Sequence, residues 1–156
     1  MSLVIATGSN LLNKIDNLNL AKKLLRDQYT FIAESEIFES MAVDYTAQPD
    51  FYNQLLEFKI PKDNPDEVMS ELLNIEKQLG RIRGIDKGPR IIDIDIIFWG
   101  TEKYQTDSVT IPHVSWDQRS FVVRPLQQLP FFKTIEKCFK IPQAFNVEAK
   151  PIKGLR

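Results

Sequence analysis

Apolar residues recur along this chain with two different periods, and each change of period marks a new element. Residues 3–7 are short, apolar and β-prone, and they run into Gly8-Ser9-Asn10, a turn signal. Ile15, Leu18, Ala21, Leu24 and Leu25 then fall at helical spacing. Lys22, Lys23 and Arg26 follow late in that helix, where cations suit the negative end of its dipole. Residues 31–38 and 51–60 read as strands, with loop-like sequence over 41–50 between them. Asn64-Pro65-Asp66-Glu67 predicts a helix start: Asn64 caps, Pro65 fits the first helical position and Glu67 can reach back as in a capping box. Val68, Met69, Leu72, Leu73, Ile75 and Leu79 supply its apolar stripe, and Gly80 its stop. Residues 91–98 form the strongest strand pattern. A turn near Gly100, a short strand over 109–111 and a helix over 116–123 follow, with Pro125 near that helix's end. The tail beyond Pro130 is hydrophobic without a clear period. The order β-α-β-β-α-β predicts an α+β sandwich, a ferredoxin-like, mostly antiparallel sheet with helices packed on one face.

The 156 residues fit one domain, and a net charge of −1 argues against a general nucleic-acid or membrane-surface binder. Cys138 is the one cysteine, which excludes an intrachain disulfide and a cysteine-based zinc site. Apolar runs are too short to span a bilayer, and no leader segment is visible, so a cytoplasmic location is expected.

The chemistry concentrates around residues 91–97. Side chains alternate across a strand, so Asp93 and Asp95 share one face while Ile92, Ile94 and Ile96 take the other. Two such carboxylates repel unless paired, and a divalent cation relieves that repulsion. Mg²⁺ prefers carboxylate oxygens and commonly bridges substrate phosphates. A salt-bridged strand face is the alternative. Directly upstream, Arg81, Arg83, Lys87 and Arg90 punctuate a loop containing Gly84 and Gly88. Arginine forks match phosphate oxygens, so a basic loop leading into an acidic strand suits transfer from a nucleoside triphosphate. No GxxxxGK[ST] segment is present, which excludes an ordinary P-loop enzyme.

These segments resemble the 6-hydroxymethyl-7,8-dihydropterin pyrophosphokinases of folate synthesis. The resemblance rests on Gly8-Ser9-Asn10, Pro49-Asp50-Phe51-Tyr52-Asn53, Ile75-Glu76 with Gly80-Arg81-Ile82-Arg83, Gly88-Pro89-Arg90-Ile91-Ile92-Asp93-Ile94-Asp95, Pro112-His113 and the run from Arg119 to Leu126. The GPR-x-I-D-x-D string with RSFV downstream is the specific part.

The resemblance implies one pyrophosphokinase domain over residues 1–156 that moves pyrophosphate from ATP to the pterin's hydroxymethyl group. Asp93 and Asp95 would bind two Mg²⁺ ions, and Arg81 and Arg90 would hold phosphates and stabilise the transition state. Glu76, Arg83, Arg90, His113 and Arg119 would lie at the nucleotide. Ser40, Val43, Phe51, Asn53 and Phe121 would form the pterin pocket, with stacking on the aromatic rings. Partners would be these small molecules alone, with no nucleic acid or membrane, and the enzyme a monomer. A catalytically weak binding relative and a small RNA-binding module are the competing readings. The chain departs from the family at Leu12 and Asn13, where a glycine and an acidic residue are common, and at Met41, Lys87 and Val114.

Overall fold

A computed structural model describes residues 1–41, 47–81 and 90–152. Its main sheet contains β1 (Ser2–Ser9), β2 (Phe31–Glu34), β3 (Ile37–Ser40), β4 (Phe51–Lys59), β5 (Asp93–Trp99) and β8 (Lys150–Ile152). The strand order is β5-β1-β4-β3-β8, with β2 also on β4, and the pairings are antiparallel. This is the α+β sandwich that the pattern predicts. A separate two-stranded ribbon joins β6 (Tyr104–Gln105) to β7 (Thr110–Ile111).

Helices cover both faces of the sheet, where the sequence pattern placed two on one face. α1 (Lys14–Gln28) and α2 (Pro65–Gln78) bury Leu18, Leu25, Val68 and Leu72 against Leu3, Ile5, Leu56 and Phe58. α3 (Ser120–Leu126) and α4 (Phe132–Cys138) bury Val122, Leu126 and Ile135 against Val4, Leu55 and Phe98 on the other face. The central strands β1 and β4 are therefore apolar on both sides, as strands between two layers must be.

Local chemistry accounts for most boundaries. Asn64 Oδ1 accepts from the Glu67 amide at 2.9 Å and Glu67 Oε1 from the Asn64 amide at 3.0 Å, so the capping box is formed. The single strand expected over 31–38 is divided at Ser35. The Ser35 hydroxyl there takes over the ladder by accepting from the Leu55 amide at 3.0 Å. The helix expected over 116–123 is split. A 3₁₀ turn spans Trp116–Gln118, Arg119 is extended (φ −118°), and α3 begins only at Ser120 and runs through Pro125. The unpatterned tail holds α4 and β8. In β5 the register with β1 slips between Val4 and Ile5, so Ile97 and Phe98 both join the α3–α4 core.

Leu12 has φ +55° and is 80% exposed. A left-handed conformation costs a non-glycine residue about 1–2 kcal/mol, and an exposed side chain returns little. Leu12→Gly should therefore raise stability by up to about 1 kcal/mol in urea denaturation, and a loss of stability would contradict the strain assigned to this turn. Asn64→Ala should cost about 1 kcal/mol by the same measurement, and an unchanged midpoint would show that the cap contributes nothing.

Candidate active site

Small residues on the central strand open a pocket at one end of the sheet. On β1, Leu3 and Ile5 point toward the α1–α2 core, while Ala6 and Gly8 line the pocket on the opposite face. Gly8 pairs with Asn53 of β4 on one side and with Asp93 of β5 on the other, and Ala6 pairs with Asp95. A Cβ at Gly8 would lie 3.2 Å from Asn53 Oδ1 and 3.8 Å from the Phe51 ring. Glycine thus keeps the floor clear between an amide and two carboxylates. The pocket encloses about 760 Å³ including open solvent, and Phe51 and Phe121 are among its walls.

The Asn53 amide is fixed. Its Nδ2 donates to Ser40 Oγ at 2.8 Å and to the Phe38 carbonyl at 3.3 Å, which leaves Oδ1 on the side facing Gly8. Ser40 therefore orients Asn53 as well as lining the pocket.

Opposite the amide, the charged groups form a chain. Glu76 of α2 is buried, and its Oε2 accepts from the Ile94 amide at 2.7 Å. Its Oε1 accepts from Arg81 Nη1 at 2.8 Å, and the same nitrogen reaches Asp93 Oδ1 at 3.1 Å. Arg90 Nε stands 3.4 Å from Asp93 Oδ2. Burial pushes the Glu76 carboxyl up, opposed by the Ile94 amide and Arg81. Asp95 is pushed up to about 7, first by burial, then by the charges of Asp93 and Glu76, against the pull of Arg119 and Arg81. Arg119 and Arg81 thus do not offset the burial of the Asp95 charge.

That imbalance fits a divalent cation. Among the described residues no group of three or more acidic, histidine or cysteine side chains could hold a metal. Two carboxylates suffice for Mg²⁺ when phosphate oxygens and water complete its shell.

His113 lies behind Asp95, in a second cavity that Asp95, Met69, Ile96 and Val109 also line. Burial and the Arg119 charge lower its pKa, with Asp93 opposing, so it is neutral at pH 7. Its Nδ1 accepts from the Ser115 amide at 3.2 Å, so the proton sits on Nε2 as a hydrogen-bond donor. Each aromatic wall carries an arginine: Arg90 lies 4.8 Å over Phe51 and Arg119 5.5 Å over Phe121.

The structure thus brings Ser40, Phe51, Asn53, Arg90, Asp93, Asp95, Arg119 and Phe121 to one pocket. Glu76 and Arg81 stand behind Asp93, and His113 lines the adjoining cavity. Val43 and Arg83 lie outside the described residues. Sequence reasoning missed Ala6, Gly8, Met41 and Ile97 as lining residues. The alternation of small Ala6 and Gly8 with large Leu3 and Ile5 was the available signal for two of them.

A carboxyl whose pKa is raised on folding stabilises the fold fully below its unfolded value, near 4, and loses that contribution as pH climbs to 7. Without divalent cations, Asp95→Asn should therefore be the more stable protein at pH 8, by roughly 2 kcal/mol, with the gap closing toward pH 4. Thermal melts at both pH values check this, and a gap that widens at low pH would refute the assigned burial of charge.

Comparison with known proteins follows the same chemistry. A profile of the 7,8-dihydro-6-hydroxymethylpterin-pyrophosphokinase family matches residues 4–130. The chain is 35% identical over 127 residues to the Bacillus subtilis 2-amino-4-hydroxy-6-hydroxymethyldihydropteridine pyrophosphokinase, covering 80% of this chain and 75% of that protein. It is 39% identical over 123 residues to the folic acid synthesis protein of Pneumocystis carinii, and 39% identical over 127 residues to the mitochondrial folate synthesis bifunctional protein of Pisum sativum. The matches cover 78% and 81% of this chain, but only 16% and 24% of those much longer proteins. A crystal structure of Plasmodium falciparum HPPK-DHPS superposes with a TM-score of 0.63 at 13% identity, covering 82% of this chain and 39% of that one, which shows a shared fold.

Proposed function

The chain belongs to the 7,8-dihydro-6-hydroxymethylpterin-pyrophosphokinase family, and from that membership we propose that it transfers pyrophosphate from ATP to the hydroxymethyl oxygen of 6-hydroxymethyl-7,8-dihydropterin, releasing AMP. The observation that carries this reading is the placement of Asp93 and Asp95. Both line an aromatic-walled pocket with a fixed amide, and Asp95 also lines the cavity of the neutral histidine. A flat bicyclic ring fits between Phe51 and Phe121, and Asn53 Oδ1 accepts from the ring's N–H edge. The hydroxymethyl group then points toward the carboxylates. The nucleotide occupies the other side, its base against Met69, Ile96 and Val109 and its phosphates toward His113 Nε2–H, Arg119, Arg81 and Arg90.

Asp93 and Asp95 would hold two Mg²⁺ ions, which when bound neutralise phosphate charge and acidify the acceptor alcohol. The chain's own contribution is position and charge. Glu76 fixes Arg81, and Arg81 and Arg90 fix Asp93, so these cations are in place before charge spreads over the transferred group. The alcohol oxygen attacks the β-phosphorus in line and AMP leaves. We assign the alcohol's proton to the Asp95 carboxylate. One chain supplies these groups, which supports action as a monomer, and no described helix is long and apolar enough to cross a membrane. Among the described residues helices pack on both sheet faces, unlike the open strand surface that an RNA-binding plait presents.

In the presence of Mg²⁺, AMP should form from ATP only when the pterin is supplied. ADP in its place would show a different phosphoryl transfer and overturn the proposal. Arg90→Ala should lower kcat by about 10²-fold or more with little change in KM for ATP, because its charge acts mainly on the transition state. A pure KM effect would assign Arg90 to ground-state binding.

A further inference from the structure

The pocket's outer wall is thin. Behind Phe121 and Met41 lies a second, solvent-open cleft of about 930 Å³, which shares Ser40, Met41, Arg119 and Phe121 with the pocket. Phe121 therefore stands between two spaces, and dense packing alone cannot set its position. Its placement depends on how the start of α3 is anchored.

The anchor is in the tail, past residue 130, where the match to the family profile ends. Ser120 stands between Arg119 and Phe121 and is 5% exposed. Its hydroxyl donates to the Val147 carbonyl at 2.8 Å and accepts from the Ala149 amide at 2.8 Å, so both its donor and an acceptor position are used by the tail. One turn later, Arg124 Nε and Nη2 each meet a Glu148 carboxylate oxygen at 3.0 Å. Arg124 Nη2 also donates to the Gln143 carbonyl at 2.7 Å. Directly after Ala149 the chain becomes β8 and pairs with β3, Lys150 opposite Glu39. β3 ends at Ser40, which holds the Asn53 amide. A few tail residues thus tie the start of α3, with Arg119 just before it and Phe121 in its first turn, to the strand carrying Ser40.

We infer that residues 143–150 form a strap that sets the width of the pterin pocket, and that Ser120 is a positioning residue for the acceptor substrate. This deepens the proposed function and rests on it. Ser120 touches neither substrate. It acts through Phe121, and the strap acts through Ser40 on Asn53. The expected signature is selective. The pterin, held between the strapped walls, loses affinity, while the nucleotide, which has Arg119 alone of its proposed contacts beside the strap, loses less.

Steady-state kinetics on full-length Ser120→Ala, Ser120→Thr and Arg124→Ala test this with both substrates varied. Ser120→Ala and Arg124→Ala should raise KM for the pterin by about fivefold or more with KM for ATP within about twofold of native, since small misplacements in a binding wall are costly. Ser120→Thr, which keeps the hydroxyl, should return most of the pterin affinity. A pterin KM within twofold of native in Ser120→Ala would overturn the strap. Should that chain fail to fold, the same result in Arg124→Ala, whose side chain is partly exposed, would overturn it. Native protein in the same assay separates the two proposals. If it forms no AMP with the pterin, the function is wrong. The strap is then read by hydrogen exchange at the start of α3, which should quicken in Ser120→Ala and whose constancy would refute it.

Discussion

Mutual repulsion among Asp93, Asp95 and Glu76 is the constraint around which this end of the molecule is organised. Burial alone would force such carboxyls toward the neutral state, and the raised pKa values of Asp95 and Glu76 show that it partly does. The surrounding structure divides the burden. Glu76 is satisfied by a backbone amide and Arg81, and Asp93 by Arg81 and Arg90. Among the described residues, Asp95 receives the more distant influence of Arg119 and Arg81. The result is a site with its arginines already aligned and one carboxylate still in electrostatic deficit. A cation accompanied by phosphates corrects both sides of that account: the metal offsets the carboxylates while the phosphates engage the cations.

The sheet makes this crowding possible. Neighbouring strands hold Asp93 opposite Gly8 and Asp95 opposite Ala6, and the same Gly8 faces Asn53 across the other pairing. Larger residues at those two β1 positions would fill the space between acid and amide. Their absence turns the middle strand into a floor, with the carboxylates on β5 and the fixed amide on β4. The two proposed subsites are thus set one strand apart on either side of β1, and β-ladder register fixes the distance between them.

Much of this was legible in the sequence, and for definite reasons. The Asp-x-Asp pair on a β-period strand fixes a shared face without any tertiary information, and Asn64-Pro65-x-Glu67 encodes its helix start locally. The pocket residues Phe51, Asn53 and Phe121 came from family resemblance, because no local rule brings strands 40 residues apart together. What escaped depended on tertiary context. Ser35 interrupts a strand because its hydroxyl substitutes for a ladder bond to Leu55, and serine carries no such instruction by itself. Extended Arg119 splits the expected helix, and its side chain thereby lines the pocket that Phe121, one residue further on, also lines. The tail resisted reading because its short helix is held by packing against the α3 core and its three-residue strand by β3, with Ser120 and Arg124 fixing the segment just before that strand, rather than by a period of their own.

The two cores respond differently to that dependence. The α1–α2 face is built from two long helices, α2 with a capping box, and a continuous apolar cluster, so it holds the acidic strand and Glu76 firmly. The α3–α4 face is made of two seven-residue helices, too short to be stable on their own, and their position is set by what they pack against and bond to. Arg119 and Phe121 enter the site from this second face, whereas Asp93, Arg81 and Glu76 are referenced to the first. The carboxylates and their arginines are therefore anchored where the fold is self-sufficient, and the Phe121 wall is anchored where it relies on a tail. In the proposed reaction, which must exclude water from ATP yet release its product, that asymmetry lets the Phe121 wall shift while the charged groups stay in register.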